Sequence, residues 1–111
     1  MTVYSTAQVY QQLTACCLSI TDGCETFPTN LTAYTEYIED FAVALICRYG
    51  EDEVASWLFE VYNEADLHWP FEQYAQLYQA AAVGVKAASE KLQVGGPASA
   101  WPTWYDDTHG N

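Results

Sequence analysis

Trp57-Leu58-Phe59-Glu60-Val61-Tyr62-Asn63-Glu64 decides how the rest of this 111-residue chain is read. Trp57 to Tyr62 is apolar except at Glu60, has the length of a strand, and matches a strand buried on both faces. Glu60 breaks the run. With a side-chain period of two it faces a polar interior or takes part in a structural ion pair, because a lone buried charge is very costly. The run then stops at an amide beside a carboxylate, Asn63-Glu64.

Upstream, Tyr34, Tyr37, Ile38, Phe41, Leu45 and Tyr49 follow three-and-four spacing, which predicts a helix with one apolar face. Asn30 or Thr32 can cap its start and Gly50 its end. Glu51-Asp52-Glu53 opens one further turn, where acids suit the positive helix end. Downstream, Ala65-Asp66-Leu67-His68-Trp69-Pro70 reads as a loop. A second helix carries Tyr74, Leu77, Tyr78, Ala81, Val85 and Ala88 on one stripe, with an alanine-rich middle that favours helix and permits close packing. Leu92-Gln93-Val94 is a short strand ended by Gly95-Gly96-Pro97. The order helix, strand, loop, helix, strand predicts an α/β chain with a βαβ unit and parallel strands.

The ends are less regular. In the N-terminal segment 1–28, Val9, Leu13, Cys16, Cys17 and Ile20 predict a weak amphipathic helix, followed by a turn at Asp22-Gly23 and a loop over Thr26-Phe27-Pro28-Thr29-Asn30. From Ala98 onward, through Trp101, Pro102, Trp104 and Gly110, no periodicity is readable.

Composition narrows the chemistry. Fifteen acids face three bases, Arg48, Lys86 and Lys91, for a net charge of −12. No basic patch exists to neutralise phosphates, so nucleic acid is a poor partner, and so is an anionic membrane surface. No apolar run reaches the roughly 20 residues of a membrane span. The N-terminus shows no basic region leading into an apolar core of the signal-peptide kind. Cys16, Cys17, Cys24 and Cys47 lack paired C-x-x-C spacing and lie far from His68 and His109, which argues against a zinc site. Cys24 could pair with Cys16 or Cys17 in an oxidising compartment, while buried free thiols are the alternative. Aromatics make up 15% of the chain and serve cores as readily as they serve sugar faces. No cofactor is implied.

In parallel barrels the reactive groups sit where strands end, and a carboxylate next to an asparagine suits acid-catalysed glycoside cleavage. Arg48-Tyr49-Gly50, Glu53-Val54, Trp57, Phe59-Glu60-Val61, Asn63-Glu64 and Asp66-Leu67 together resemble the fourth-strand region of glycoside hydrolase family 39, which contains β-xylosidases and α-L-iduronidases. Tyr74, Leu77-Tyr78, Val85-Lys86 and Val94-Gly95-Gly96-Pro97-Ala98 resemble that family's next helix and fifth strand. The likeness runs over roughly residues 31 to 100, so 29–111 is expected to be a partial (β/α)8 TIM barrel of about two βα units, preceded by the unmatched helical segment.

The resemblance implies a retaining mechanism acting on a carbohydrate, a xyloside or uronide, with Glu64 as acid/base and Asn63 holding the 2-hydroxyl of the sugar or the nucleophile. A proton held near neutrality would need partial burial of Glu64, with Tyr62 or Trp69 as an apolar wall. His68, Trp69 and Trp101 are candidate substrate contacts, and Trp104 lies near the same end. The segment Phe59-Glu60-Val61-Tyr62 with Ala65-Asp66-Leu67 suits the xylosidase branch. The resemblance also points to an extracellular or lysosomal setting, which the Asn30-Leu31-Thr32 sequon and the cysteines suit, although no address is encoded.

Departures from the family pattern matter as much. Tyr62 stands where Trp is usual and Ala65 where Pro is usual; losing the proline frees the loop after Glu64. Residues 1 to 25 do not resemble the preceding strands. The nucleophile of the family is a glutamate near the seventh strand, and Glu72, Glu90, Asp106 and Asp107 do not match its position. The expectation is therefore a fragment of a retaining, β-xylosidase-like glycosidase carrying the acid/base and not the nucleophile, inactive in isolation. Its open sheet edges would favour self-association. The alternative is a non-catalytic carbohydrate-binding or protein-interaction remnant.

Overall fold

A computed structural model describes Thr2–Val3 and residues 27–101. The elements in order are strand β1 (Thr2–Val3), helices α1 (Leu31–Tyr49) and α2 (Glu51–Ala55), strand β2 (Leu58–Glu60), a single 3-10 turn (Ala65–Leu67), helix α3 (Phe71–Ala88) and strand β3 (Gln93–Gly95). β2 and β3 are parallel, with Leu58 opposite Gln93, Phe59 opposite Val94 and Glu60 opposite Gly95. They are joined through α3, which is the expected βαβ unit. β1 pairs antiparallel along the other side of β2, Thr2 opposite Glu60 and Val3 opposite Phe59. The helix expected over Val9 to Ile20 lies outside the described residues, as do Cys16, Cys17 and Cys24.

Local chemistry sets the helix limits. Asn30, one of two candidate caps, accepts the N–H of Ala33 at 3.0 Å, satisfying a donor that the first turn cannot pair. Gly50 ends α1 with φ 89°, donates its N–H to Ile46 O at 2.8 Å, and starts α2 at once. That left-handed φ favours glycine. Lys91 reaches back from beyond α3 to Glu51 at 3.0 Å, and the pairing holds the Glu51 carboxyl below its usual range and the Lys91 ammonium above its own. Both ends of the pair are solvent-exposed, so it fastens little.

The buried stripe of α1 is Tyr34, Ile38 and Ala42, one residue every helical turn. Two residues assigned to that face by spacing, Tyr37 and Tyr49, are 47% and 53% exposed instead. A stripe at i, i+4 drifts across a helix, and the residues at its margin fall outside the contact with α3. Tyr49 stacks at a tilt on Trp57, 5.2 Å between ring centres.

α1 and α3 lie close enough that Gly84 is required: a Cβ there would stand 2.6 Å from the Thr35 carbonyl oxygen and 3.0 Å from Ile38 Cβ. The Thr35 hydroxyl crosses the same seam and donates to Ala80 O at 3.0 Å. Ile38, Leu77, Val85, Leu92, Phe59 and Val61 belong to one buried core that joins this helix pair to the sheet.

β2 is shorter than the apolar run, and burial on both faces holds from Phe59 to Tyr62 but not at Leu58. Phe59 is 2% exposed whereas Leu58 is 53% exposed. At Leu58 the strand borders an open groove of about 410 Å³ also lined by Phe59, Glu60, Gln93, Gly95, Pro97 and Ala98. Glu60 is nonetheless buried, at 7% exposure, and its charge helps to raise the Tyr74 phenol, though burial contributes more. Cys47, among the thiols for which burial was considered, is exposed and free. No described helix is long and apolar enough to cross a membrane.

Candidate functional site

The site is built where β2 ends. Directly after Glu60 the chain turns sharply: Tyr62 and Glu64 adopt φ of 61° and 55°, left-handed conformations that non-glycine residues rarely take. Two such residues within three positions hold roughly 1–3 kcal/mol of strain each, which the surroundings must offset. The offset is visible. Tyr62 is buried and packs on Trp69 at 4.6 Å between ring centres, and Trp69 meets Phe27 edge-on at 5.5 Å. The Tyr74 hydroxyl donates to Val61 O at 2.8 Å, fixing the end of the strand from beneath.

Asn63 and Glu64 are exposed at the tip of this turn. Glu64 donates its N–H to Ala98 O at 2.7 Å, so the end of β2 is bonded to the segment leaving β3. Its carbonyl accepts the N–H of Leu67 at 3.0 Å in the 3-10 turn. Asp66 completes the link: its two carboxylate oxygens accept the N–H groups of Ala100 and Trp101, each at 2.9 Å. Ala98 also lines the groove beside Leu58 and Glu60, so the Glu64 turn is bonded to a groove-lining residue.

The residues singled out from sequence therefore separate. Asn63, Glu64 and His68 lie exposed on one short turn. Trp101, 64% exposed, is fastened to the same turn through its backbone. Trp69 is 7% exposed and lies in the core beneath Tyr62; neither aromatic covers Glu64, whose residue is open to solvent. His68 borders Tyr62 with ring centres 6.3 Å apart. Asp66, Tyr74 and Ala98 belong to the pattern read from sequence, but their part in holding this turn was not legible there. Their partners are 13 to 35 residues away, and no spacing rule signals a side chain that binds a distant backbone. Among the described residues no group of three His, Cys, Asp or Glu side chains is placed to hold a metal ion.

The chain is 42% identical to a β-xylosidase of Caldicellulosiruptor saccharolyticus, over 69% of this chain and 17% of that protein. It is 33% identical to the α-L-iduronidase of Canis lupus familiaris, over 68% of this chain and 12% of the relative. Among solved structures, a family 39 β-xylosidase from Caulobacter crescentus superposes with a TM-score of 0.58 at 35% identity, covering 74% of this chain and 21% of that one. The family 39 enzyme of Xanthomonas axonopodis pv. citri superposes with a TM-score of 0.62 at 34% identity, over 69% of this chain and 16% of its own. The chain thus spans about a fifth or less of the length of these relatives. The sequence profile of Glycosyl hydrolases family 39 matches residues 21–110, which takes in β2, the Glu64 turn, α3 and β3. This chain belongs to Glycosyl hydrolases family 39.

Proposed function

We propose that this chain forms the fourth-to-fifth strand part of a (β/α)8 barrel and supplies the acid/base carboxylate of a retaining, β-xylosidase-like glycosidase. The observation that carries the reading is Glu64 itself: an exposed carboxylate in a strained turn at the C-terminal end of a parallel strand, tied to the end of the next strand. The ends of parallel barrel strands are where such enzymes keep their reacting groups, and strained conformations collect at functional sites.

In this reading Glu64 gives its proton to the glycosidic oxygen as the bond from that oxygen to the anomeric carbon breaks and its electron pair stays on the oxygen. A second carboxylate, about 5 Å away, closes on the anomeric carbon as a glycosyl ester. Glu64, now ionised, takes a proton from water as that water displaces the ester. The nucleophile is not among the acids of this chain and comes from another part of the active protein. Asn63 holds the sugar 2-hydroxyl, a contact that strengthens as charge develops. His68 and Trp101 border the sugar, and Trp69 acts from below by supporting Tyr62. The higher identity to β-xylosidases than to iduronidases supports a xyloside over a uronide.

The test is a chimera in which residues 27–101 replace the matching part of the Caldicellulosiruptor β-xylosidase. Hydrolysis of aryl xylosides should survive the exchange. Glu64→Gln should then lower kcat/KM about 10²–10⁴-fold for poor leaving groups, and much less for dinitrophenolate, which departs without a proton. Equal activity in the Glu64→Gln chimera would end this reading. Xylobiose binding by the chain with no turnover in an active-context chimera would favour the non-catalytic remnant.

A further inference from the structure

The link between the two strand ends forms a closed ring. From Glu64 its N–H bonds to Ala98 O; the chain runs from Ala98 to Ala100; the Ala100 N–H bonds to Asp66 Oδ1; and the backbone returns from Asp66 to Glu64. The second oxygen of Asp66 takes the Trp101 N–H at 2.9 Å and locks the ring against rotation about the first bond. Hydrogen bonds to an ionised acceptor are about twice as strong as neutral ones, and a two-point contact adds direction. Ala65 stands in this loop where a proline would have restricted the backbone, so the ring is the observed restraint on the turn from the side of β3.

We propose that Asp66 is a positioning residue for the Glu64 carboxylate: by clamping the Ala98–Trp101 segment onto the turn it sets where Glu64 is presented and holds the Trp101 backbone against the same turn. Asp66 does not touch substrate. This rests on the acid/base reading of Glu64, and the experiment separates the two. Misplacing a proton donor by even about 1 Å costs reactions that need the proton far more than those that do not.

The first measurement uses the full 111-residue chain and amide hydrogen exchange, with the Leu77 amide in α3 as the reporter of global unfolding. Asp66→Ala should speed exchange at Glu64, Ala100 and Trp101 by about tenfold or more and leave Leu77 unchanged, because only a local opening is eased. Asp66→Asn, which keeps one carbonyl acceptor, should fall between. Unchanged exchange at Glu64 in Asp66→Ala would overturn the proposal, since Asp66 would then fasten β3 alone. The second measurement places the same substitutions in the chimera. Asp66→Ala should cut kcat/KM at least about tenfold more for phenyl xyloside than for dinitrophenyl xyloside, with Asp66→Asn restoring part of the difference. A loss equal for both substrates would overturn the proposal while the acid/base reading stands. If Glu64→Gln itself has no effect, both fail together.

Discussion

Leu58 and Phe59 are consecutive residues of one three-residue strand and meet opposite surroundings. Phe59 is packed into the core under the helices, whereas Leu58 lies half in the open on the groove side. The helix-facing side of this unit is held by volume: large apolar groups, and a glycine where two helices touch. The strand ends are held by direction: the Tyr74 hydroxyl on Val61 O, the Glu64 N–H on Ala98 O and the Asp66 carboxylate on two backbone N–H groups. Burying apolar area favours any tight arrangement, but a catalytic turn needs one arrangement, and hydrogen bonds supply the angles that packing does not.

The largest test of that contrast is the pair Phe59→Ala and Leu58→Ala. Losing the buried ring should cost about 3–5 kcal/mol in urea unfolding of the full chain. The exposed leucine should change stability by no more than about 0.5 kcal/mol. Similar losses at both positions would mean that the groove face is covered after all. Next comes Gly84→Ala. Alanine ordinarily favours a helix interior by about 1 kcal/mol over glycine. Here its Cβ meets a backbone carbonyl that cannot rotate away, so a net destabilisation of about 1–3 kcal/mol is expected.

Tyr74→Phe probes the directional side. It removes the bond to Val61 O and should cost about 1 kcal/mol, with faster amide exchange around Tyr62 and Asn63. The phenol of Tyr74 is raised above 10.0 chiefly by burial, then by Tyr78 and Glu60 nearby. A phenol whose folded value is raised keeps its full contribution below pH about 10, its unfolded value, and loses it as pH climbs towards the folded value. The chain should therefore weaken above about pH 10, and Tyr74→Phe should flatten that decline. A last substitution should have the opposite sign. Among the described residues the Tyr34 hydroxyl is buried without a hydrogen-bond partner, and its phenol is raised chiefly by the same desolvation. Tyr34→Phe removes an unpaired polar atom and should stabilise by about 1 kcal/mol.

Much of the architecture was legible beforehand. Helix-period spacing located α1 and α3, Asn30 and Gly50 bounded the first of them, and the order of elements predicted parallel strands joined by a helix. The errors have physical causes. Tyr37 and Tyr49 share a stripe with buried residues but sit at its margin, which periodicity cannot resolve. The apolar run around β2 is buried on both faces from Phe59 to Tyr62 but not at Leu58, where a groove-lining residue carries the same apolar type as a buried one. For the site, Asn63-Glu64 stood out because two polar residues ended an apolar run. Asp66 did not, since an acid in a loop looks the same whether it faces water or holds a backbone 34 residues away.

The periodicity, caps and turn residues are properties of neighbours along the chain, so their physics is local and can be read from letters in order; these specified two helices, the strands between them and the carboxylate at the strand end. Family membership came from the same letters compared with others. Which face of β2 is covered, why position 84 must be glycine, and how the Glu64 turn is strapped to the end of β3 depend on groups brought together from distant positions. Those contacts exist only once the chain has folded, because distance in space, and not order in sequence, sets their energy.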